Sequence, residues 1–164
     1  MKKNFSIVIC IVMIALCLTS CFAFEDKNEN SDLNMQYALD SHQYCLFMNK
    51  QINPITNQLS TNMIIADSYI DGSADVEICV ADAKQSLSII KSCREEIEIM
   101  TPPTQYEDSY ERTIAAIKET ETVFEEYIEE LEKEKTNISK IEECIDRMQV
   151  HFVSLTSEFN AYYE

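Results

Sequence analysis

Apolar residues recur at steps of three, four and seven along most of the chain, the period of a helix buried on one face. Over residues 32–71 the stripe runs Ala38, Cys45, Met48, Ile52, Ile55, Leu59, Met63, Ala66 and Ile70. Asn53-Pro54 interrupts it, and a proline there removes one backbone bond and crowds the preceding turn. The stripe continues in phase across the break, which predicts a kinked helix or two segments with Asn53 as a new cap. Gly72, the one glycine in the chain, supplies the left-handed residue that ends the first helix. A second stripe, Cys79, Ala83, Ser86, Ile90, Cys93, Ile97 and Met100, predicts a helix over residues 74–100. Asp75 and Glu77 occupy the positive end of its dipole, and Thr101-Pro102-Pro103 stops it. Thr104 and Glu107 have the spacing of a capping box for a third helix, whose core face is Tyr106, Tyr110, Ile114, Ile117, Phe124, Ile128 and Leu131. After a break with Asn137 as cap, the last stripe is Ile138, Ile141, Ile145, Met148, Phe152, Leu155, Phe159 and Tyr162. Four amphipathic helices joined by short turns predict an all-α fold, an antiparallel up-down-up-down four-helix bundle with a kinked first helix, spanning residues 32–164.

Composition narrows the function. A dinucleotide fold, a phosphate-cradling loop or a β-rich domain needs several glycines for tight turns and close approach, and this chain has one. The formal charge is −16, and it opposes binding to nucleic acid or to anionic lipid heads. The third helix is crowded with glutamate, including Glu125, Glu126, Glu129, Glu130, Glu132 and Glu134, most simply a solvated face.

The N-terminus adds location. Met1, Lys2 and Lys3 precede an almost unbroken apolar run over residues 5–18. Such a run is about fourteen residues, short of the roughly twenty that span a membrane, and it has the layout of a signal peptide. It ends in Leu18-Thr19-Ser20-Cys21, which resembles the lipobox of bacterial lipoproteins at all four positions. The resemblance implies a diacylglyceryl group on the Cys21 sulfur, removal of residues 1–20, and a membrane-anchored protein on the extracytoplasmic face. Membrane lipid is then the partner implied at Cys21, and two acyl chains suffice for stable anchoring. Residues 21–31 carry two aromatics and then a charged, Asn-rich run without periodicity, a flexible tether. The competing reading is a secretory signal cut after Ala23, which frees the protein and makes Asn137-Ile138-Ser139 a glycosylation sequon. The body, with its Thr-Pro-Pro turn followed by Tyr106 and Tyr110, is similar to small all-helical lipoproteins of low-GC bacteria.

Cys10 and Cys17 leave with the signal peptide, so the bundle keeps Cys45, Cys79, Cys93 and Cys144. An even count in an exported domain suggests disulfides. Cys79 and Cys93 lie about 21 Å apart on one helix, too far to join each other. Measured along the helices from the Gly72 turn, Cys79 lies at about 10 Å and Cys93 at about 31 Å. On the same count Cys45 lies at about 40 Å and Cys144 at about 5 Å. Cys45 drops lower if Pro54 breaks the helix, so each pair is level to within helix slippage, and the expected bridges are Cys45–Cys93 and Cys79–Cys144, each contributing roughly 2–4 kcal/mol.

Other chemistry is sparse. His42 with Cys45, and Cys144 with His151, share helix faces but lack the CxxC or HxxxH company of a metal site. Met63 and His151 fall at similar heights without a CxxCH, so methionine reads as core rather than a haem ligand. Asp67, Asp71, Gly72, Asp75 and Glu77 surround one turn, but Tyr69 and Ile78 occupy positions where a calcium loop needs oxygen ligands. No nucleophile elbow or triad is present, and no cofactor is expected. The sequence therefore predicts a non-enzymatic module that binds a protein or cell-envelope component, with Tyr106, Tyr110, Tyr162 and Tyr163 as its exposed patch. The alternative is a small-molecule or cation-binding accessory domain.

Overall fold

A computed structural model describes residues 40–162 of the chain. Cys21, the signal peptide, the tether, Ala38 and Tyr163 lie outside the described residues. Four helices make up the described part: α1 (Ser41–Ile70), α2 (Val76–Glu98), α3 (Glu107–Leu131) and α4 (Ile138–Ala161). A short 3-10 turn, Thr104–Tyr106, leads into α3.

The starts and stops follow local chemistry. Asp40 caps α1 by accepting from the Gln43 N–H at 2.8 Å, while the Gln43 side chain accepts from the Asp40 N–H at 3.4 Å. Sequence spacing does not reveal this reciprocal capping box, because the apolar stripe extends N-terminal to it. The expected box at Thr104 and Glu107 is absent, for Thr104 is spent on the 3-10 turn and neither turn nor α3 has a side-chain cap. Asn137 does cap α4, accepting from the Ser139 N–H at 3.1 Å. Gly72 has φ +77°, and an added Cβ would meet nothing within 4 Å, so only its backbone conformation demands glycine. α1 runs as one helix through Pro54, and Asn53 caps no second segment.

Each helix turns most of its predicted stripe inward, but Ile138, expected in the core, is exposed in the first turn of α4, where the helix end leaves no neighbour to cover it. Ile52, Ile55, Leu59, Ile90, Ile97, Ile117, Phe124, Ile141 and Met148 are fully buried, with Tyr44 and Tyr127 as the largest buried side chains. α1 packs on α2 and α4, and α3 packs on the same two. Among the described residues no Cα of α2 comes within 8 Å of a Cα of α4, and the same holds for α1 and α3. The four helices therefore make a square whose diagonal backbones stay more than 8 Å apart at every Cα. No described helix is long and apolar enough to cross a membrane.

The square changes the reading of the cysteines. Cys45, Cys79, Cys93 and Cys144 are all buried and none is in a disulfide. Cys79 and Cys144 sit on the diagonal pair α2 and α4, whose backbones stay more than 8 Å apart, beyond the ~7 Å Cα span of a bridge. Cys45 and Cys93 sit on neighbouring helices but at different heights. Ser86 of α2 meets Gln58 and Asn62 of α1. Counting outward from that contact at about 1.5 Å per residue leaves Cys45 and Cys93 at least about 9 Å apart along the bundle. The structure holds neither the Cys45–Cys93 nor the Cys79–Cys144 bridge.

Candidate functional site

The interior is polar at two levels. At one end of the bundle Tyr44, Tyr106 and Tyr162 cluster, with ring centroids 5.5 Å apart for Tyr44–Tyr106, 5.9 Å for Tyr44–Tyr162 and 5.6 Å for Tyr106–Tyr162. Tyr44 comes from the first turns of α1, Tyr106 from the 3-10 turn, and Tyr162 from the cap of α4. Such stacked and edge-on pairs add about 0.5–1.5 kcal/mol each beyond their buried area. Cys45 Sγ donates to Tyr106 Oη at 3.2 Å, and the Thr113 and Tyr162 hydroxyls lie 3.4 Å apart. Burial pushes the Tyr44 phenol up, and the neighbouring Tyr162 adds to the shift. These rings do come together, but inward: Tyr44 and Tyr162 are buried and Tyr106 and Tyr110 are half-buried. Tyr106, Tyr110 and Tyr162 therefore do not form the exposed patch expected from the sequence, and Tyr163 lies outside the described residues. The rings pack as a lid on the core.

Nearer the Gly72 end lies the second polar level. Asn62 Nδ2 donates to Ser86 Oγ at 2.8 Å and to the Gln58 carbonyl at 3.0 Å, and Ser86 Oγ donates to Gln58 Oε1 at 2.8 Å. Asp82 stands one turn before Ser86 on α2, with its Oδ2 buried. Burial raises its carboxyl above the usual carboxylate range, while Asn62 beside it pulls the other way. Tyr127 of α3 is fully buried. Its phenol is pushed up by burial and then by Cys79, Asp82 and Cys144 around it. Burial likewise raises the Cys79 and Cys144 thiols, which keeps them protonated and unreactive at neutral pH. Sequence periodicity found Ser86 and the cysteines but missed Asn62, Asp82 and Tyr127. The one available signal was a polar or aromatic residue one step off an apolar stripe.

The histidines do not join either cluster. His42 is exposed at the start of α1, and burial lowers His151 on α4 with Glu119 opposing. Among the described residues no three His, Cys, Asp or Glu side chains gather closely enough to hold a metal ion.

The glutamates of α3 do more than face solvent. Lys84 pairs with Glu132 at 2.6 Å, Lys91 with Glu125 at 2.7 Å and Arg94 with Glu121 at 2.6 Å, all from α2 to α3. Glu98 binds Lys118 at 2.9 Å and also pairs with Arg94. Arg147 of α4 reaches Glu126. Glu130 is buried, takes Lys133 at 2.6 Å and accepts the Asn137 N–H at 2.8 Å, tying the α3–α4 loop to the helix before it. On the α4 side, Arg112 and Ser109 both bind Glu158, at 2.7 and 2.5 Å. Burial lifts the Glu158 carboxyl, but those two bonds more than offset it and leave it below the usual range.

Two hollows on the outer face of α2 are open to solvent. The larger, about 750 Å³, is lined by the apolar Val76, Val80, Ala81 and Leu131 and by two acids and two lysines, Glu77, Glu132, Lys84 and Lys133. The smaller, about 400 Å³, continues past Lys84 along Leu87, Ser88 and Lys91. No family model, curated protein or solved structure matches the chain.

Proposed function

We propose that the chain is a lipid-anchored extracytoplasmic protein. Its helical domain acts as a non-enzymatic module that binds another protein or a component of the cell envelope, not nucleic acid. The observation that carries this reading is Leu18-Thr19-Ser20-Cys21 at the end of a short apolar run behind Lys2 and Lys3. Cys21 is the lipidated residue, residues 1–20 are removed, and residues 21–31 hold the domain off the bilayer.

The bundle in this proposal is up-down-up-down with α1 bent at Pro54. Paired numbers across the helix seams support the alternation: Lys84 with Glu132, Lys91 with Glu125 and Arg94 with Glu121 run in opposite senses. Arg147 with Glu126 and Arg112 with Glu158 do the same between α3 and α4. A proline inside a continuous helix supports the bend.

A binding module is favoured over an accessory domain for a small molecule because both surface hollows are open rather than enclosed. Burial of all four bundle cysteines suits an oxidising compartment, where a thiol shielded from solvent escapes oxidation. The test is intact mass and N-terminal peptide mapping of protein from the membrane fraction of the native host. A diacylglyceryl-modified Cys21 at the mature N-terminus is expected. A soluble product beginning at Phe24 replaces the anchor with simple secretion, and a chain that keeps Met1 to Ser20 refutes cleavage and anchoring at Cys21.

A further inference from the structure

Charge is distributed unevenly around the square. Lys50 and Asp67 are the only lysine, arginine or carboxylate in α1, a helix of 30 residues. Residues 148–157 of α4, which packs on α1, hold none at all. The far side carries exposed Glu95 and Glu96 on α2 and exposed Glu107, Asp108, Glu111 and Glu129 on α3. Four large apolar side chains lie on the uncharged side, each more than half exposed: Leu46 and Ile64 on α1, Val150 and Val153 on α4. Single exposed apolar residues are ordinary, but the register of these four is not. On α1 they belong to an outward stripe, Leu46, Lys50, Asn53, Asn57, Ser60 and Ile64, whose steps of four and three are those of a coiled-coil seam. The stripe reads alike from both ends about Ile55. An antiparallel copy of α1 centred there sets Leu46 against Ile64, Asn53 against Asn57 and Lys50 against Ser60. One step further out Gln43 meets Asp67, and the Gln43 amide group, whose oxygen serves the cap at Asp40, keeps its N–H donors for that carboxylate.

α4 supplies a second count. Tyr44 of α1 touches Tyr162 of α4, and counting inward from that contact at about 1.5 Å per residue brings His151 level with Ile55. This count takes the helices to alternate as proposed above. A two-fold at that level lays α4 along its own copy, with Val150 facing Val153 on both sides of the axis. Both helices thus place the axis at the same height.

We propose that the α1–α4 face is a self-association surface, on which a second copy of the chain docks with its α1 antiparallel about a two-fold level with Ile55. Such an interface is isologous, the same patch used by both partners. Charge selects the occupant. A basic partner is drawn to the glutamates of α2 and α3, and two copies meeting there set carboxylate against carboxylate. An uncharged face offers no such attraction, and on a chain of formal charge −16 it is where another copy approaches without repulsion.

The test is crosslinking with a short bismaleimide in intact cells of the native host, using the full chain in two differently tagged forms. Leu46→Cys in one form and Ile64→Cys in the other should link to each other. Neither should link to its own kind, since like positions stand about 27 Å apart along the seam. Asn53→Cys should link to itself, its two copies lying about 6 Å apart along the axis. Adding Leu46→Glu to Asn53→Cys should cut that product about tenfold, because each new carboxylate meets an apolar Ile64. Adding Ile64→Lys as well should restore it, which a merely misfolded chain would not do. No product from any pair would overturn the proposal. So would self-linking of Leu46→Cys, the mark of a parallel pair, or failure of Ile64→Lys to restore the link.

Discussion

Replacing Arg94 by methionine should destabilise the bundle by about 2 kcal/mol, far more than the same change at Lys84. Both side chains bridge α2 to α3 at 2.6 Å, to Glu121 and Glu132 respectively. They differ in shielding: the Arg94 and Glu121 side chains are 18% and 12% exposed, against 56% and 49% for Lys84 and Glu132. An exposed pair is worth about 0–1 kcal/mol, while stripping the partner from a fully buried charge costs about 3–5 kcal/mol. Arg94–Glu121 lies between these limits, and Glu98 is left with Lys118 alone when Arg94 goes. Methionine keeps much of the apolar stem, so the loss reports the charge rather than a cavity. Urea unfolding followed by helical circular dichroism is the assay. With m of about 2 kcal/mol/M, the midpoint should fall by roughly 1 M in Arg94→Met and by about 0.5 M or less in Lys84→Met. A double-mutant cycle with Glu121→Gln should return a coupling of about 1 kcal/mol that survives roughly 0.5 M salt. Equal midpoints for the two variants, or additivity in the cycle, would show that side-chain shielding does not set the strength of these bridges.

Gly72→Ala should cost about 1–2 kcal/mol from the left-handed backbone alone, and Gly72→Asn less, read as melting-point shifts; equal losses would point to a steric cause instead. Site-resolved alkylation should leave Cys45, Cys79, Cys93 and Cys144 unmodified in the native chain and label all four in denaturant; a native bridge between any two would contradict the packing. The pH profile separates opposing carboxylates. Asp82 has a raised folded pKa, so its contribution is greatest below its unfolded value of about 3.9 and is lost as pH rises through the folded one. Glu98 and Glu158 are lowered, so theirs is present above about 4.3 and lost as pH falls through their folded values. Asp82→Asn should therefore abolish the decline above about pH 4 and keep the acid limb; a variant that tracks the parent from there to about pH 8 would remove Asp82 from the account.

Helix number and core face were legible because burial on one side writes itself into the sequence every three to four residues. Cys79, Ala83, Ser86, Ile90, Cys93 and Ile97 are all buried on α2 as their spacing requires. What spacing cannot convey is the arrangement of helices around the axis. Heights along the bundle placed Cys79 level with Cys144, but only the square, with α2 and α4 on a diagonal, shows that the two backbones stay apart. The glutamates of α3 misled for a related reason. A charge on an outer face has the same spacing whether it meets water or a neighbouring lysine, and Glu121, Glu125 and Glu132 meet cations of α2. Asn62 and Tyr127 were invisible as interior polar groups because an isolated polar residue beside a stripe carries no period. Tyr106 and Tyr162 were found, yet the rings turn inward where amphipathic side chains were expected at the surface.

The edge-on contact between Tyr44 and Tyr162, centroids 5.9 Å apart, places the two ends of the described chain side by side. With α4 packed directly on α1, the four seams form a closed ring in which no helix need come first. A short linker from residue 162 to residue 40 should therefore permit circular permutation. New termini opened at Gly72 would sever no seam, since that turn is exposed and only α1 and α2 meet there. Opening the chain between α3 and α4 is different: Glu130 grips the Asn137 backbone across that loop, so the cut would also release the cap of α4. The order of helices along the chain is thus less fixed by the packing than by one buried glutamate.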